Sequence, residues 1–231
     1  MRKIVFIALV LPWMTFAAET GYRLDRSPHE PNDLVSLQAG ARLYVNYCLG
    51  CHGAQYMRYN RLTELGLTEE QIRDNLLFTA EKVGETMKTP LDPKAAKQWF
   101  GVAPPDLSVV ARSRGADWLY SYLRTFYRDP KTATGWNNAV FENVAMPHAL
   151  WTLQGERGYD RDKGSFTEIS KGRLSQVEYD MAVRDLVNFL ACVGEPAAGR
   201  RKTIGIVVLF VVGVLFIFAY LLKKEFWKDV K

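Results

Sequence analysis

Cys48-Leu49-Gly50-Cys51-His52 governs how the rest of this 231-residue chain is read. Two cysteines three positions apart with a histidine directly behind form the attachment pattern of a c-type haem. The thiols add across the two vinyl groups of the porphyrin, and the adjoining imidazole then falls beneath the iron as its proximal ligand. Zinc is the main competing reading. A structural zinc site takes four Cys or His ligands at finger-like spacing, and only Cys192, His29 and His148 remain to supply the other two. A redox-active or structural disulfide between Cys48 and Cys51 is the other competitor.

The flanks suit a haem. Upstream, Leu37, Ala41, Tyr44, Val45 and Cys48 recur at helical spacing, so Ser36 to Tyr47 is expected to be an amphipathic helix that delivers the motif. A sixth iron ligand must come from far along the chain to close the opposite face. Met57, Met87, Met146, Met181, His29 and His148 are the candidates. Met57 is too near the attachment site, and Met181 reads as a helix residue. Met146 sits in Asn143-Val-Ala-Met-Pro-His148, where Pro147 fixes the backbone behind it. His148 is its rival, expected at the surface or beside the ligands. Gly101-Val-Ala-Pro-Pro-Asp-Leu107 predicts an extended, donor-poor wall whose proline carbonyls accept the ring N–H of His52. Arg112 and Arg114 follow, and an arginine near a haem pairs with a propionate.

The two ends have a different chemistry. Met1-Arg-Lys3, an apolar run from Ile4 to Met14 and small residues at Thr15 and Ala17 read as a secretory signal cut after Ala17. Near the other end, Thr203 to Leu222 is free of charge between Lys202 and Lys223. Twenty helical residues span roughly 30 Å, one hydrocarbon core. The expected organisation is therefore a signal at 1–17, an exported domain at 18–199, a membrane span at 203–222 and a cytoplasmic tail at 223–231. The formal charge is +5, but residues 18–199 hold 21 basic against 23 acidic side chains. The surplus lies at the termini, so no nucleic-acid footprint is expected. Acidic side chains gather at Glu64, Glu69, Glu70 and Asp74, and again at Glu156, Asp160, Asp162 and Glu168.

Within the exported block, Thr68 with Gln71 and Ser175 with Glu178 read as capping boxes. The first opens a helix burying Ile72, Leu76 and Ala80; the second opens a long helix with Val183, Leu186, Val187 and Leu190 on its core face. Asp92-Pro93 starts a short helix toward Phe100. Asp117 starts another, with Leu119, Tyr122, Leu123 and Phe126 as its stripe. Residues 128–170 show no helical period; a hairpin pairing Leu150–Gln154 with Phe166–Ile169 is expected there. Cys192 reads as a buried free thiol near the end of the long helix, with an intermolecular disulfide as the alternative.

The haem motif near the start, Pro104 to Ser108, Met146-Pro147 late in the chain and one C-terminal span, in that order, resemble the cytochrome c1 family. Its members are haem subunits of the cytochrome bc1 complex. Tyr59-Asn-Arg-Leu62, Phe189-Leu190 and Glu195-Pro196 also match. The resemblance implies a mainly α fold: a class I cytochrome c-like haem domain with long irregular loops, plus a transmembrane helix. It implies one haem c attached through Cys48 and Cys51, with His52 and Met146 as axial ligands. Pro105 then lines the pocket and Arg112 is the propionate partner, a role Arg114 could take instead. It implies a bacterial inner-membrane protein with its haem domain on the periplasmic side. Its partners are cytochrome b, a Rieske iron–sulfur protein and a soluble or tethered cytochrome c, in a dimeric complex embedded in the lipid bilayer. The segment from Arg73 to Gly101 is shorter than in mitochondrial members. Two other classes compete: a membrane-anchored c-type cytochrome serving another oxidoreductase, and a haem-based gas sensor or peroxidase with an open sixth site.

Overall fold

The computed structural model describes residues 21–229; the expected signal, 1–17, lies outside them. Helix α1 is Leu34–Leu43, capped by Asp33, whose carboxylate accepts from the Ser36 amide at 3.1 Å. The helix does not simply run on to Tyr47. From Tyr44–Cys48 it widens into a π turn, closed by the Leu49 amide on the Tyr44 carbonyl at 2.9 Å. The expected face of Leu37, Ala41, Tyr44, Val45 and Cys48 is buried throughout. A π turn inserts one extra residue into a helix and is frequent at functional sites; here it ends at the first haem-motif cysteine.

Both capping boxes are present with both of their hydrogen bonds. The first opens α2, Glu69–Asn75, which buries Ile72 and then stops. Ala80 therefore lies beyond the helix, only half buried. Asp92 caps α3, Pro93–Phe100, and Gly101 ends it at φ +78°. Helices α4, Val110–Arg114, and α5, Ala116–Arg124, meet at Gly115. Asp117 stands in the first turn of α5, and its carboxylate accepts from the Ser27 amide at 2.8 Å. Leu119, Tyr122 and Leu123 are buried as expected, whereas Phe126 already belongs to a strand. Helix α6 is the single turn Trp151–Gln154, α7 is Gln176–Gly194, and α8 is Ala198–Phe226.

Three antiparallel pairs complete the fold. Strand β1, Ala54–Arg58, pairs with β2, Thr86–Met87; β3, Phe126–Arg128, pairs with β4, Trp136–Asn138; β5, Gly155–Asp160, pairs with β6, Ser165–Lys171. The hairpin expected between 150 and 169 is thus displaced on its first arm, since Leu150–Gln154 is largely helical and the strand starts at Gly155. Gly155 has φ +87°, and a Cβ there would lie 2.2 Å from the Ser170 carbonyl oxygen. The strand start is set by a backbone conformation that only glycine enters freely, and apolar alternation does not reveal it.

The core is organised by α1 crossing α7. At the crossing a Cβ on Gly40 would sit 2.0 Å from the Asp185 carbonyl oxygen and 2.7 Å from the Phe189 Cβ. The two backbones touch because this residue has no side chain. One turn on, the Tyr44 and Phe189 rings pack at 5.6 Å. Val183, Leu186, Val187 and Leu190 are all buried, each aliphatic side chain stabilising by roughly 1.5–3 kcal/mol. Helix α8 is the opposite case: 29 residues, long and apolar enough to cross a membrane, with none buried.

Candidate haem site

The haem motif is held by the stretch Pro104 to Ser108, and the hydrogen bonds show how. His52 Nδ1 lies 2.8 Å from the Pro105 carbonyl oxygen. The carbonyl only accepts, so the ring N–H is on Nδ1 and the lone pair is on Nε2, the atom left to bind a metal. Beside this bond the Leu107 amide donates to the Gly53 carbonyl at 2.7 Å. Asp106 uses both oxygens: Oδ2 accepts from the Gln55 amide at 2.9 Å, and Oδ1 from the Ser108 amide at 2.9 Å. Ser108, almost wholly buried, accepts from the Tyr56 amide at 3.0 Å. From the other side Tyr44 donates to the His52 carbonyl at 2.8 Å, and Thr89 to the Gly50 carbonyl at 2.9 Å. The segment is therefore a clamp as well as a wall. Pro105 itself is exposed, and its carbonyl is the part engaged.

Both motif thiols are free, Cys48 buried and Cys51 exposed. Burial, with Cys51 adding to it, pushes the Cys48 thiol up to about 12. A redox-active Cys-x-x-Cys pair needs a depressed thiol, and the shift at Cys48 runs the other way. Among the described residues no group of three or more Cys, His, Asp or Glu side chains is placed to hold a metal. Burial holds the His52 imidazole below its ordinary value, against the Pro105 bond and the charge of Asp106. It is therefore neutral, as an iron ligand must be. Free thiols, a neutral imidazole and a committed Nδ1 are a donor set that fits a haem.

The sulfur candidates separate by location. Met57 and Met87 are core residues, Met87 fully buried opposite Ala54. Met181 is exposed on α7. Met146 is half buried in a loop, with its Sδ accepting from the Tyr122 hydroxyl at 3.3 Å. That loop is pinned by two buried asparagines, Asn137 and Asn138. Asn137 Oδ1 accepts from the Asn143 amide at 2.9 Å. Asn138 Oδ1 accepts from the Val140 and Phe141 amides at 2.9 and 3.1 Å, while its Nδ2 donates to the Tyr122 carbonyl at 2.7 Å. Asn143 holds φ +56°, the one non-glycine residue at positive φ among the described residues. A doublet of asparagines in an irregular stretch is the available signal, because asparagine side chains substitute for missing backbone partners.

His148 corrects its surface expectation. It is 2% exposed, stacked parallel to Phe126 at 4.8 Å and edge-on to Trp136 at 5.1 Å. The two arginines also part company. Arg114 lies over the Trp118 and Phe141 rings at 5.1 and 5.9 Å, and Trp118 stacks on Tyr122, the donor to Met146. Arg112 instead lays its methylenes against Gly194 at the end of α7. Cys192 is only partly buried there, with its thiol pushed up by that burial.

The model of the cytochrome c1 family matches residues 25–230. The chain belongs to the cytochrome c1 family. A cytochrome c1 of Allochromatium vinosum is 44% identical over the whole of both chains. A protein of Nitrosomonas europaea named ammonia monooxygenase gamma subunit is 47% identical, again over both whole chains. The cytochrome c1 of Rhodospirillum rubrum is 28% identical over 86% of this chain and 83% of its own. Cytochrome c1 membership brings a haem c, an electron-transfer role in the respiratory chain and a place as a membrane-anchored subunit of the bc1 complex. Helix α8 suits that anchor, and the mainly helical fold with irregular loops agrees with the expected class.

Proposed function

We propose that this cytochrome c1 binds one haem c through thioether bonds to Cys48 and Cys51, with His52 and Met146 as axial ligands. It takes one electron from a Rieske iron–sulfur protein and passes it to a cytochrome c. The observation that carries the reading is the His52 Nδ1 bond to Pro105 at 2.8 Å, which turns Nε2 into a fixed, neutral donor. When bound, the haem supplies a one-electron ferric/ferrous couple, which histidine–methionine ligation raises in potential. With both axial positions filled, no site is left for a substrate, so this chain is a carrier and the enzyme is the assembly. Arg114, on the aromatic group that contacts Met146, suits the propionate role better than Arg112. The domain is periplasmic on a bacterial inner membrane, following a signal at 1–17 and leaving 223–231 in the cytoplasm. Its complex contains cytochrome b and is dimeric. The test is extraction in mild detergent, followed by an absorption spectrum and subunit analysis. A c-type spectrum with cytochrome b and a Rieske protein in one complex is expected.

The name of the Nitrosomonas relative favours a second reading, a membrane-anchored cytochrome serving a different oxidoreductase. The same purification decides: the haem chain eluting with a monooxygenase, without cytochrome b or a Rieske protein, would replace the first reading.

A further inference from the structure

A cavity of about 480 Å³ opens where α7 ends and α8 begins. His29, Arg112, Asn188, Cys192, Arg201 and Lys202 line it, and its remaining walls include small apolar residues such as Ala111 and Ala191. Three observations give it a chemistry. Arg201 pairs with Glu195 at 2.5 Å, whereas among the described residues neither Arg112 nor Lys202 is in an ion pair, so two cations face the cavity uncompensated. Asn188 is fully buried. Its Nδ2 donates to the Glu30 carbonyl at 2.8 Å and lies 3.0 Å from Ser36 Oγ, which fixes the amide's orientation and leaves Oδ1 with no hydrogen-bond partner among the described residues. A buried acceptor left unsatisfied is destabilising. Finally, Lys202 is the last charge before the uncharged run Thr203 to Leu222. The cavity cations therefore stand at the edge of the hydrocarbon core, at the depth of lipid headgroups.

We infer that this cavity holds the headgroup of a membrane phospholipid. The phosphate lies against Arg112 and Lys202, and a donor on the headgroup, an ethanolamine ammonium or a glycerol hydroxyl, satisfies Asn188 Oδ1. Cations and an orphaned acceptor together suit a ligand that is anionic at one point and a donor at another. A choline headgroup has the phosphate but no donor. The inference rests on α8 being the membrane anchor.

Cys192 in the cavity wall reports on occupancy. The full haem-loaded chain is placed in nanodiscs of phosphatidylcholine alone, or with added phosphatidylethanolamine or phosphatidylglycerol. Alkylation of Cys192 by a small maleimide is followed by peptide mapping. Either donor-bearing lipid is expected to slow modification at least fivefold relative to phosphatidylcholine. Arg112→Gln with Lys202→Gln should remove that protection while the haem spectrum shows an intact fold, and Lys202→Gln alone should remove part of it. Equal rates in all three lipids, or protection surviving the double change, overturns the inference. Protection by inorganic phosphate in detergent equal to that by lipid would make this a free-anion site. Protection only within the intact complex, whatever the lipid, would assign the cavity to a partner subunit; either result overturns the lipid. A chain that does not enter the discs would instead sink the anchor.

Discussion

The imidazole of His52 is held through Nδ1 by the carbonyl of Pro105, 53 residues further along the chain, at 2.8 Å. A carbonyl cannot be deleted by mutating its own side chain, so the bond is probed through Asp106, the next residue. Asp106→Ala removes two carboxylate hydrogen bonds, to the Gln55 and Ser108 amides. Bonds to charged groups contribute about 1.5–3 kcal/mol each. A stability loss on the order of 3 kcal/mol is expected, together with a shifted haem potential. Thermal unfolding followed at the haem absorption band and a redox titration measure both. A variant with wild-type potential and midpoint would show that the clamp does not position His52.

Cys48→Ser or Cys51→Ser should each impair covalent haem attachment, and the double change should abolish it. Haem staining on a denaturing gel is the readout. Full covalent haem in the double variant contradicts the attachment assignment.

Met146→Leu should retain covalent haem and lose the long-wavelength band of a sulfur–iron bond. The potential should fall by on the order of a hundred millivolts or more, within the roughly 0.8 V that axial ligands span. An unchanged spectrum and potential would move the distal ligand elsewhere. Tyr122→Phe removes the hydroxyl that donates to Met146 Sδ. A bond of roughly 1 kcal/mol corresponds to tens of millivolts, so a smaller fall with the band preserved is expected.

Gly40→Ala places a methyl within 2.0 Å of the Asp185 carbonyl oxygen. That atom is backbone in the middle of α7, so the helices must separate. Overpacking of this kind costs about 1–3 kcal/mol or more, and the chain should lose secreted, haem-loaded yield and unfold at lower temperature. A midpoint equal to wild type would mean that the α1–α7 contact is not tight.

Electron delivery to a basic cytochrome c should slow as salt rises, since screening sets in over roughly 8–10 Å. The two acidic clusters are not equivalent. In the hairpin Glu156 pairs with Arg128 and Asp160 with Lys163. On α2, Glu69, Glu70 and Asp74 are exposed and in no ion pair among the described residues, while Glu64 is held by Arg61. Charge reversal on α2 is therefore expected to slow stopped-flow oxidation more than reversal in the hairpin. A rate indifferent to salt and to both reversals points to apolar docking or a tethered acceptor.

What the sequence shows depends on whether the cause is local. Capping at Thr68, Asp92 and Ser175 and the apolar stripes of α1 and α7 are local, and those elements were legible. The π turn at Tyr44–Cys48 and the early stop of α2 leave no mark in the apolar pattern, and the start of β5 is set by the backbone conformation of Gly155. At the site, the motif and Met146 stand out in the sequence as candidates by their chemistry. The clamp was legible only as a proline carbonyl. Asp106, Ser108, Asn137 and Asn138 act by satisfying backbone groups in irregular segments, and composition does not disclose which groups lack partners. Of the two places open to His148, the surface or beside the ligands, the surface is excluded by its burial against Phe126 and Trp136.

Only Glu195, Pro196 and Ala197 separate α7 from α8. The base of α8 is fastened by the Arg201–Glu195 pair and by Gly199, where a Cβ would come within 2.0 Å of Asn32 Oδ1. Since α7 packs backbone to backbone on α1 at Gly40, and α1 runs into the haem motif, packed helices link the candidate membrane span to that motif. On the proposed electron-transfer role, a haem domain mounted in this way keeps its place beside the membrane, and its donor and acceptor come to it.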